Sequence, residues 1–310
     1  MKNSILKSLK PADIATLIYI LISMFLIVFS RNKLNYVDRH FLTKFYMILG
    51  IMSLVVIHSK WDIPVINFIH LTYPLILLSF FYGETAYLNH IFFAKDLDPI
   101  FIRLDNHIFG FQPSIEFSKH FNMKWFGEIL NFSYFSYYFQ AIGISSFFYI
   151  YRKNLVEKTI FYIVSSFYIF YLIFIVLPVV GPQYYFSYPQ SQALDTGIFS
   201  HAVKFIQKIG ERPTGSFPSS HVGISIIVSI ISFKYFRRLF YFILPLTFLI
   251  LFSTVYIKAH YAVDVFAGII AAPIILYLSK LNWKFMNYLL KEEQDLIEKK
   301  KLSKQKVFLK

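Results

Sequence analysis

Eight stretches of this chain are apolar over most of the length of a membrane-spanning helix, and nothing else in the sequence constrains the fold as strongly. A segment in hydrocarbon must satisfy its own backbone polar groups, so each stretch reads as a helix of roughly 20 residues, with about 17 to 25 tolerated. The runs lie near Asp13 to Ser30, Lys44 to His58, Val65 to Phe81, Trp125 to Tyr149, Thr159 to Val180, Ser219 to Phe233, Leu239 to Tyr256 and Tyr261 to Ser279. The second and sixth are short, which leaves six, seven or eight spans open. Charged residues make up 15% of the chain, against about a quarter in soluble domains. The expected fold is an all-α polytopic membrane helix bundle of about eight transmembrane helices, a six-helix core with extra N-terminal helices. The first run lacks a small-residue cleavage motif and reads as a retained helix, not a signal peptide.

The segment Tyr82 to Lys124 mixes Asp96, Asp98, Arg103, Asp105 and Lys119 with Phe, Ile and Pro, and is expected to lie along the interface as short amphipathic helices. Gly181 to Pro218 shows no sustained periodicity and reads as a loop. From Leu281 onward the chain becomes a solvated tail with Lys299, Lys300, Lys301, Lys304 and Lys306. This divides the chain into one transmembrane domain, 1–280, with its core at about 105–280, and a basic cytoplasmic tail, 281–310.

The net charge of +14 collects at the ends of apolar runs and in the tail, which suits anionic lipid headgroups and not nucleic acid. With no cysteine, there is no thiol nucleophile, disulfide or thiolate metal site. Short loops rich in Lys and Arg stay cytoplasmic. Lys2, Lys7 and Lys10, then Arg152, Lys153 and Lys158, then Lys234, Arg237 and Arg238, and the tail, all fit cytoplasmic termini. Arg31, Lys33 and Arg39 dissent. This topology sends the 181–218 loop and the turn at Lys258 to His260 to the same extracytoplasmic face. Abundant Ile, Phe, Lys and Asn point to a bacterial cytoplasmic membrane.

Those two segments carry the chemistry. One ends in Phe217-Pro218-Ser219-Ser220-His221; the other reads His260-Tyr261-Ala262-Val263-Asp264. Ser219 or Ser220 can cap a helix, with His221 in its first turn, where free amides and the helix dipole suit a phosphate. His260 and Asp264 are four apart and share a helix face. The carboxylate can take the proton of one ring nitrogen and leave the other as a nucleophile. Two histidines and a carboxylate thus provide a nucleophile, its orienting base and a proton donor. They can also form a facial triad for iron or zinc, a metal reading that stays open here. His40, His58, His70, His90, His107, His120 and His201 lack matched partners and read as interfacial or packing residues.

On Phe-Pro-Ser-Ser-His at 217–221 and His-Tyr-Ala-Val-Asp-Val-Phe-Ala-Gly at 260–268, the chain resembles the type-2 phosphatidic acid phosphatase superfamily. Within it, the chain is more similar to the branch that includes inositol phosphorylceramide synthases. The resemblance extends loosely from about Asp105 to Ser279. It implies a phosphatase-like core in which His260 attacks phosphorus and carries a phospho-histidine, Asp264 orients it and His221 protonates the leaving alkoxide, with no metal and no cofactor.

The chain departs from that pattern. Ser220 replaces the glycine of Pro-Ser-Gly-His, and Ser253-Thr254 stands where Ser-Arg is usual, so an arginine clamp is missing. Gly181-Pro182-Gln183-Tyr184 occupies the region of the first motif, and Arg212-Pro213 lies too close to Pro218 to fill that slot. The cations left for a phosphate are Arg212, Lys258 and Lys208, which equally suit lipid headgroups. In the fourth run Glu128, Asn131, Tyr134 and Tyr138 share a face that either lines the pocket, together with Gln183, or bonds to neighbouring helices. Asp105, in the segment before that run, reads as a helix cap.

The expected function is cleavage of a lipid phosphate ester or phosphodiester drawn from the bilayer, with either water or an alcohol or sugar alcohol as acceptor. The rival from another class is an anionic-lipid transporter or flippase whose histidines titrate without covalent chemistry.

Overall fold

The computed structural model describes residues 8–61, 63–186 and 197–308, and for 293–308 the backbone alone. Lys2, Lys7 and the side chains of the tail lysines lie outside the described residues. Among the described residues twelve helices run in order: α1 (Pro11–Phe29), α2 (Val37–Lys60), α3 (Pro64–Leu88), α4 (Asp98–Phe109), α5 (Pro113–His120), α6 (Lys124–Tyr151), α7 (Lys153–Val176), α8 (Pro182–Tyr185), α9 (Ile198–Gly210), α10 (Ser220–Tyr235), α11 (Arg237–Tyr256) and α12 (Ala262–Phe308). Each of the eight apolar runs falls on one of α1–α3, α6, α7 and α10–α12. Six of these are long and apolar enough to cross a membrane; α10 is a shorter apolar helix and α6 carries more polar groups. α12 runs unbroken from the eighth span into the basic tail.

α7 is apolar on all sides and therefore central. Phe161, Ile163, Phe170 and Phe174 are fully buried, and the helix packs against α1, α3, α6, α10 and α12. Phe25, Phe29, Ile76, Phe242 and Ile270 point outward, as befits surfaces that face lipid.

Helix ends sort into two faces. At one, Arg152 lies over the Phe236 ring at 5.9 Å, joining the α6–α7 and α10–α11 turns. Asp13 reaches α3 at the same face, where its Oδ2 meets His70 Nε2 at 2.9 Å. At the other face, Lys33 Nζ donates to Ile91 O and Asn89 Nδ2 to Pro213 O. The start of α12 and the end of α3 share that second face.

Four expectations change. α2 begins at Val37 and α3 ends at Leu88, so Lys44 and Glu84 lie inside spans, paired at 2.5 Å in a buried site. The expected second run starts at Lys44 and the third stops at Phe81, short of Glu84, but the two charges compensate each other inside the bundle. His70 is not a packing residue: its bond to Asp13, which also accepts from Tyr73 OH at 2.8 Å, is buried. His90 also has a partner, Asp96, at 3.0 Å. Finally, α9 occupies part of the presumed loop. Its amide end is capped by Glu128 of α6, whose carboxylate accepts from Phe199 N and Ser200 N at 2.9 and 3.0 Å. The helix also has local signals: Gly197 N donates to Ser200 Oγ at 2.9 Å, and Phe199, Ala202, Val203 and Ile206 recur at spacings of three and four.

Candidate active site

Two crossings of the chain build the site. Ser219 caps α10: its hydroxyl accepts from Val222 N at 3.3 Å, as a serine before a helix should. Its own amide donates to Asp264 O at 3.0 Å, so the first turns of α10 and α12 are tied together. Gly268 permits the crossing, since a Cβ there would stand 2.6 Å from Ser219 O. Gly181 holds the second crossing. Its φ is +90°, and a Cβ would come within 2.8 Å of Ala259 O and 3.0 Å of Ser216 Oγ.

These constraints bring the two histidines into contact. His221 Nδ1 and His260 Nε2 are 3.1 Å apart, and the rings meet at 68°. His260 Nδ1 lies 2.7 Å from Ser216 O. A carbonyl only accepts, so this nitrogen carries the proton, and in the neutral ring Nε2 holds a lone pair facing His221 Nδ1. The expectation that Asp264 takes the Nδ1 proton is corrected here. Asp264 Oδ2 stands 3.6 Å from Nδ1. That oxygen is already occupied by Ser216 Oγ–H at 2.6 Å and Tyr261 N–H at 2.9 Å. Ser216 therefore sits between acid and imidazole, holding the ring with its carbonyl and the carboxylate with its hydroxyl. Asp264 still provides a buried negative charge beside the ring, which favours an imidazolium as it forms.

Two aspartates of α4 pin the site from outside. Asp105 caps α12, accepting from Ala262 N and Val263 N at 3.0 Å each, so it caps a helix other than its own. Burial pushes its acid up to about 6, against the two amides that hold it down. Asp98 accepts from Val180 N and Gly181 N at 2.9 Å each and from Tyr261 OH at 2.9 Å. Burial raises that acid too, and the same donors oppose the shift.

Tyrosines form the wall beside His221. Tyr134 stacks on its ring at 4.7 Å between centroids, and Tyr137 lies at 4.2 Å. Tyr134 OH and Tyr138 OH both donate to Glu211 Oε1, at 2.6 and 2.7 Å, and Gln183 Nε2 donates to Oε2 at 2.7 Å.

The structure thus gathers His221, His260, Asp264, Ser219 and Ser220, with Tyr134, Tyr138 and Gln183 one layer out. Glu128 is corrected to the cap of α9, outside this group. Arg212 is exposed, and its guanidinium bonds backbone carbonyls, Glu211 O at 3.0 Å and Ile209 O at 3.4 Å. Lys208 is exposed on α9. Lys258 has a left-handed backbone (φ 67°) and its carbonyl accepts from Gln183 N at 2.9 Å; burial lowers its ammonium pKa. Ser253 and Thr254 are buried, and Thr254 O accepts from His260 N at 3.1 Å. Among the described residues no group of three or more His, Asp or Glu side chains is disposed to hold a metal ion. Sequence reasoning missed Ser216, Glu211, Tyr137 and Asp98.

A family model described as the PAP2 superfamily matches residues 101–278. That span runs from α4 into α12 and contains every contact of the two histidines described above. No curated protein and no solved structure matches the chain.

Proposed function

The chain belongs to the PAP2 superfamily, and on that premise we propose that it is a membrane enzyme of the phosphatase type that breaks a lipid phosphoester through a phosphorylated His260. One observation carries this reading. The lone pair of His260 Nε2 is aimed at His221 Nδ1, 3.1 Å away, with Nδ1–H anchored on Ser216 O. When a phosphoryl group separates the rings, the lone pair faces phosphorus and the His221 proton faces the leaving oxygen. The Nε2–P bond forms, the P–O bond to the lipid alcohol breaks, and His221 gives its proton to the departing alkoxide. Charge on the remaining phosphoryl oxygens falls beside the first turn of α10, whose amides and dipole suit an anion.

In the second half, water or an alcohol attacks phosphorus, its proton passes to His221, and the Nε2–P electrons return to His260. Water makes the enzyme a lipid phosphatase; an alcohol or sugar alcohol makes it a phosphotransferase. The missing arginine at Ser253-Thr254 supports transfer of a phosphoryl headgroup, as in the inositol phosphorylceramide synthase branch, because a singly charged phosphodiester needs fewer cations than a phosphomonoester. The reaction drawn here uses no cofactor.

The site lies at the ends of the spans, where a lipid can enter from the bilayer. The Lys and Arg distribution supports an extracytoplasmic site, with both termini in the cytoplasm and the basic tail against anionic headgroups. The test is purified protein given lipid phosphates and phosphodiesters with and without alcohol acceptors, scored for free phosphate and new lipid. His260→Ala should abolish both products; undiminished turnover would defeat the proposal and favour a transporter.

A further inference from the structure

We propose that the headgroup handled by this site carries a positively charged alkylammonium, held by Glu211 within the tyrosine wall beside His221. The inference rests on the phosphoester reading above and names its substrate class.

Glu211 is 8% exposed. Both its oxygens accept, one from Tyr134 OH and Tyr138 OH and the other from Gln183 Nε2. That is the bonding pattern of a carboxylate, and all its donors are neutral. Among the described residues no Lys, Arg or His forms an ion pair with it; the adjacent Arg212 turns its guanidinium to backbone carbonyls instead. A buried charge without a counter-charge is costly, so the structure retains an anion that a bound cation would compensate.

The surroundings select the kind of cation. Tyr134, Tyr137 and Tyr138 all lie against His221, and aromatic faces attract organic ammonium groups. A hard metal ion would require several oxygen ligands, and Glu211 is the one carboxylate in this cluster. Gln183, which could read a polyol, already spends its Oε1 on Gln207 Nε2 at 3.0 Å. Position matters as well: Tyr134 stacks on His221 with its ring and holds Glu211 with its hydroxyl. The carboxylate and the reacting phosphorus are therefore separated by about one tyrosine side chain. A zwitterionic phosphodiester would place its ammonium at Glu211 and its single negative charge at the histidines. A phosphomonoester dianion would be repelled by the same carboxylate.

The test uses the full-length protein in vesicles of phosphatidylcholine or phosphatidylethanolamine, against phosphatidylinositol and phosphatidic acid. The ammonium lipids should give the higher kcat/KM. Glu211→Gln keeps the shape and should lower the ammonium-to-polyol selectivity about tenfold or more, mainly through KM. Equilibrium binding of phosphocholine to the His260→Ala protein gives a readout independent of turnover, and Glu211→Gln in that background should weaken it to a similar degree. A wild-type preference for the inositol lipid or for phosphatidic acid would overturn the proposal, and needs no variant. So would unchanged selectivity and phosphocholine affinity in Glu211→Gln. Turnover that survives His260→Ala would instead sink the phospho-histidine reading, which separates the two failures.

Discussion

His221 Nδ1 and His260 Nε2 are hydrogen-bonded across 3.1 Å, so in the proposed mechanism the proton meant for the leaving group and the lone pair meant for phosphorus face each other in the free protein. Substrate must exchange that bond for two others, one to phosphorus and one to the ester oxygen. The two histidines should then differ kinetically. His260→Ala should remove all turnover. His221→Gln should slow natural lipids by about 10²- to 10⁴-fold, the usual worth of a general acid. With a p-nitrophenyl phosphodiester, whose leaving group needs no proton, the first step should recover and phosphorylated enzyme should accumulate, as read by mass spectrometry. Equal loss on both substrates would remove His221 from the acid role.

Ser216 holds the His260 imidazole through its carbonyl and Asp264 through its hydroxyl, at 2.7 and 2.6 Å. Only the second contact depends on the side chain. Ser216→Ala should keep the His260 tautomer but cost Asp264 a charge-assisted bond, worth about 1.5–3 kcal/mol. The expected result is a lower thermal midpoint together with a fall in kcat of about tenfold to a hundredfold. A fall as deep as that of His260→Ala would mean that the hydroxyl itself takes part in the chemistry.

A vanadate ion imitates pentacoordinate phosphorus and should inhibit by occupying the space between His260 Nε2 and His221, while chelators should leave turnover unaltered. The reverse pattern would favour the metal reading.

Much of this was legible in the sequence because it is local. Ser219 before an apolar run marks a helix start, and the spacing of His260 and Asp264 puts them on one face of the next. The apolar runs found every spanning helix by the same kind of signal. What stayed hidden depends on distant partners. Ser216 reaches Asp264 across 48 positions and Tyr134 reaches Glu211 across 77, so neither serine nor glutamate is distinctive in its own segment. Lys44 looked like a boundary because a lone charge in hydrocarbon is costly, and only its pairing with Glu84, beyond the expected end of the third run, cancels that cost. α9 was legible too, in the spacing of Phe199, Ala202, Val203 and Ile206; only its second cap, Glu128, comes from another helix.

Gly268 tests how tightly the two helix starts must cross. A Cβ there would meet Ser219 O, a backbone atom, at 2.6 Å. Gly268→Ala should therefore part α10 from α12, lowering the thermal midpoint and turnover together, with the scale of an overpacked core at about 1–3 kcal/mol. Gly143 of α6 is the control: an added Cβ finds nothing within 4 Å. Gly143→Ala should be neutral or stabilising by up to about 1 kcal/mol, because alanine is the better helix former. Similar midpoints for the two variants would show that the crossing has slack.

Asp105 makes the stability of the site depend on pH in an uncommon direction. Its acid is pushed up to about 6 from an ordinary 3.8 because burial outweighs the two amides of α12 that it accepts. Between those values the folded protein binds more protons than the unfolded chain, so this residue's contribution to stability declines as pH rises through the window. Above it the carboxylate is ionised in both states and the whole cost of burying it is present. Asp105→Asn cannot titrate. The thermal midpoint of the wild type relative to this variant should therefore rise on going from pH 7 to pH 5. A difference that stays flat, or moves the other way, would mean that the amides outweigh burial and that Asp105 is ionised throughout the range.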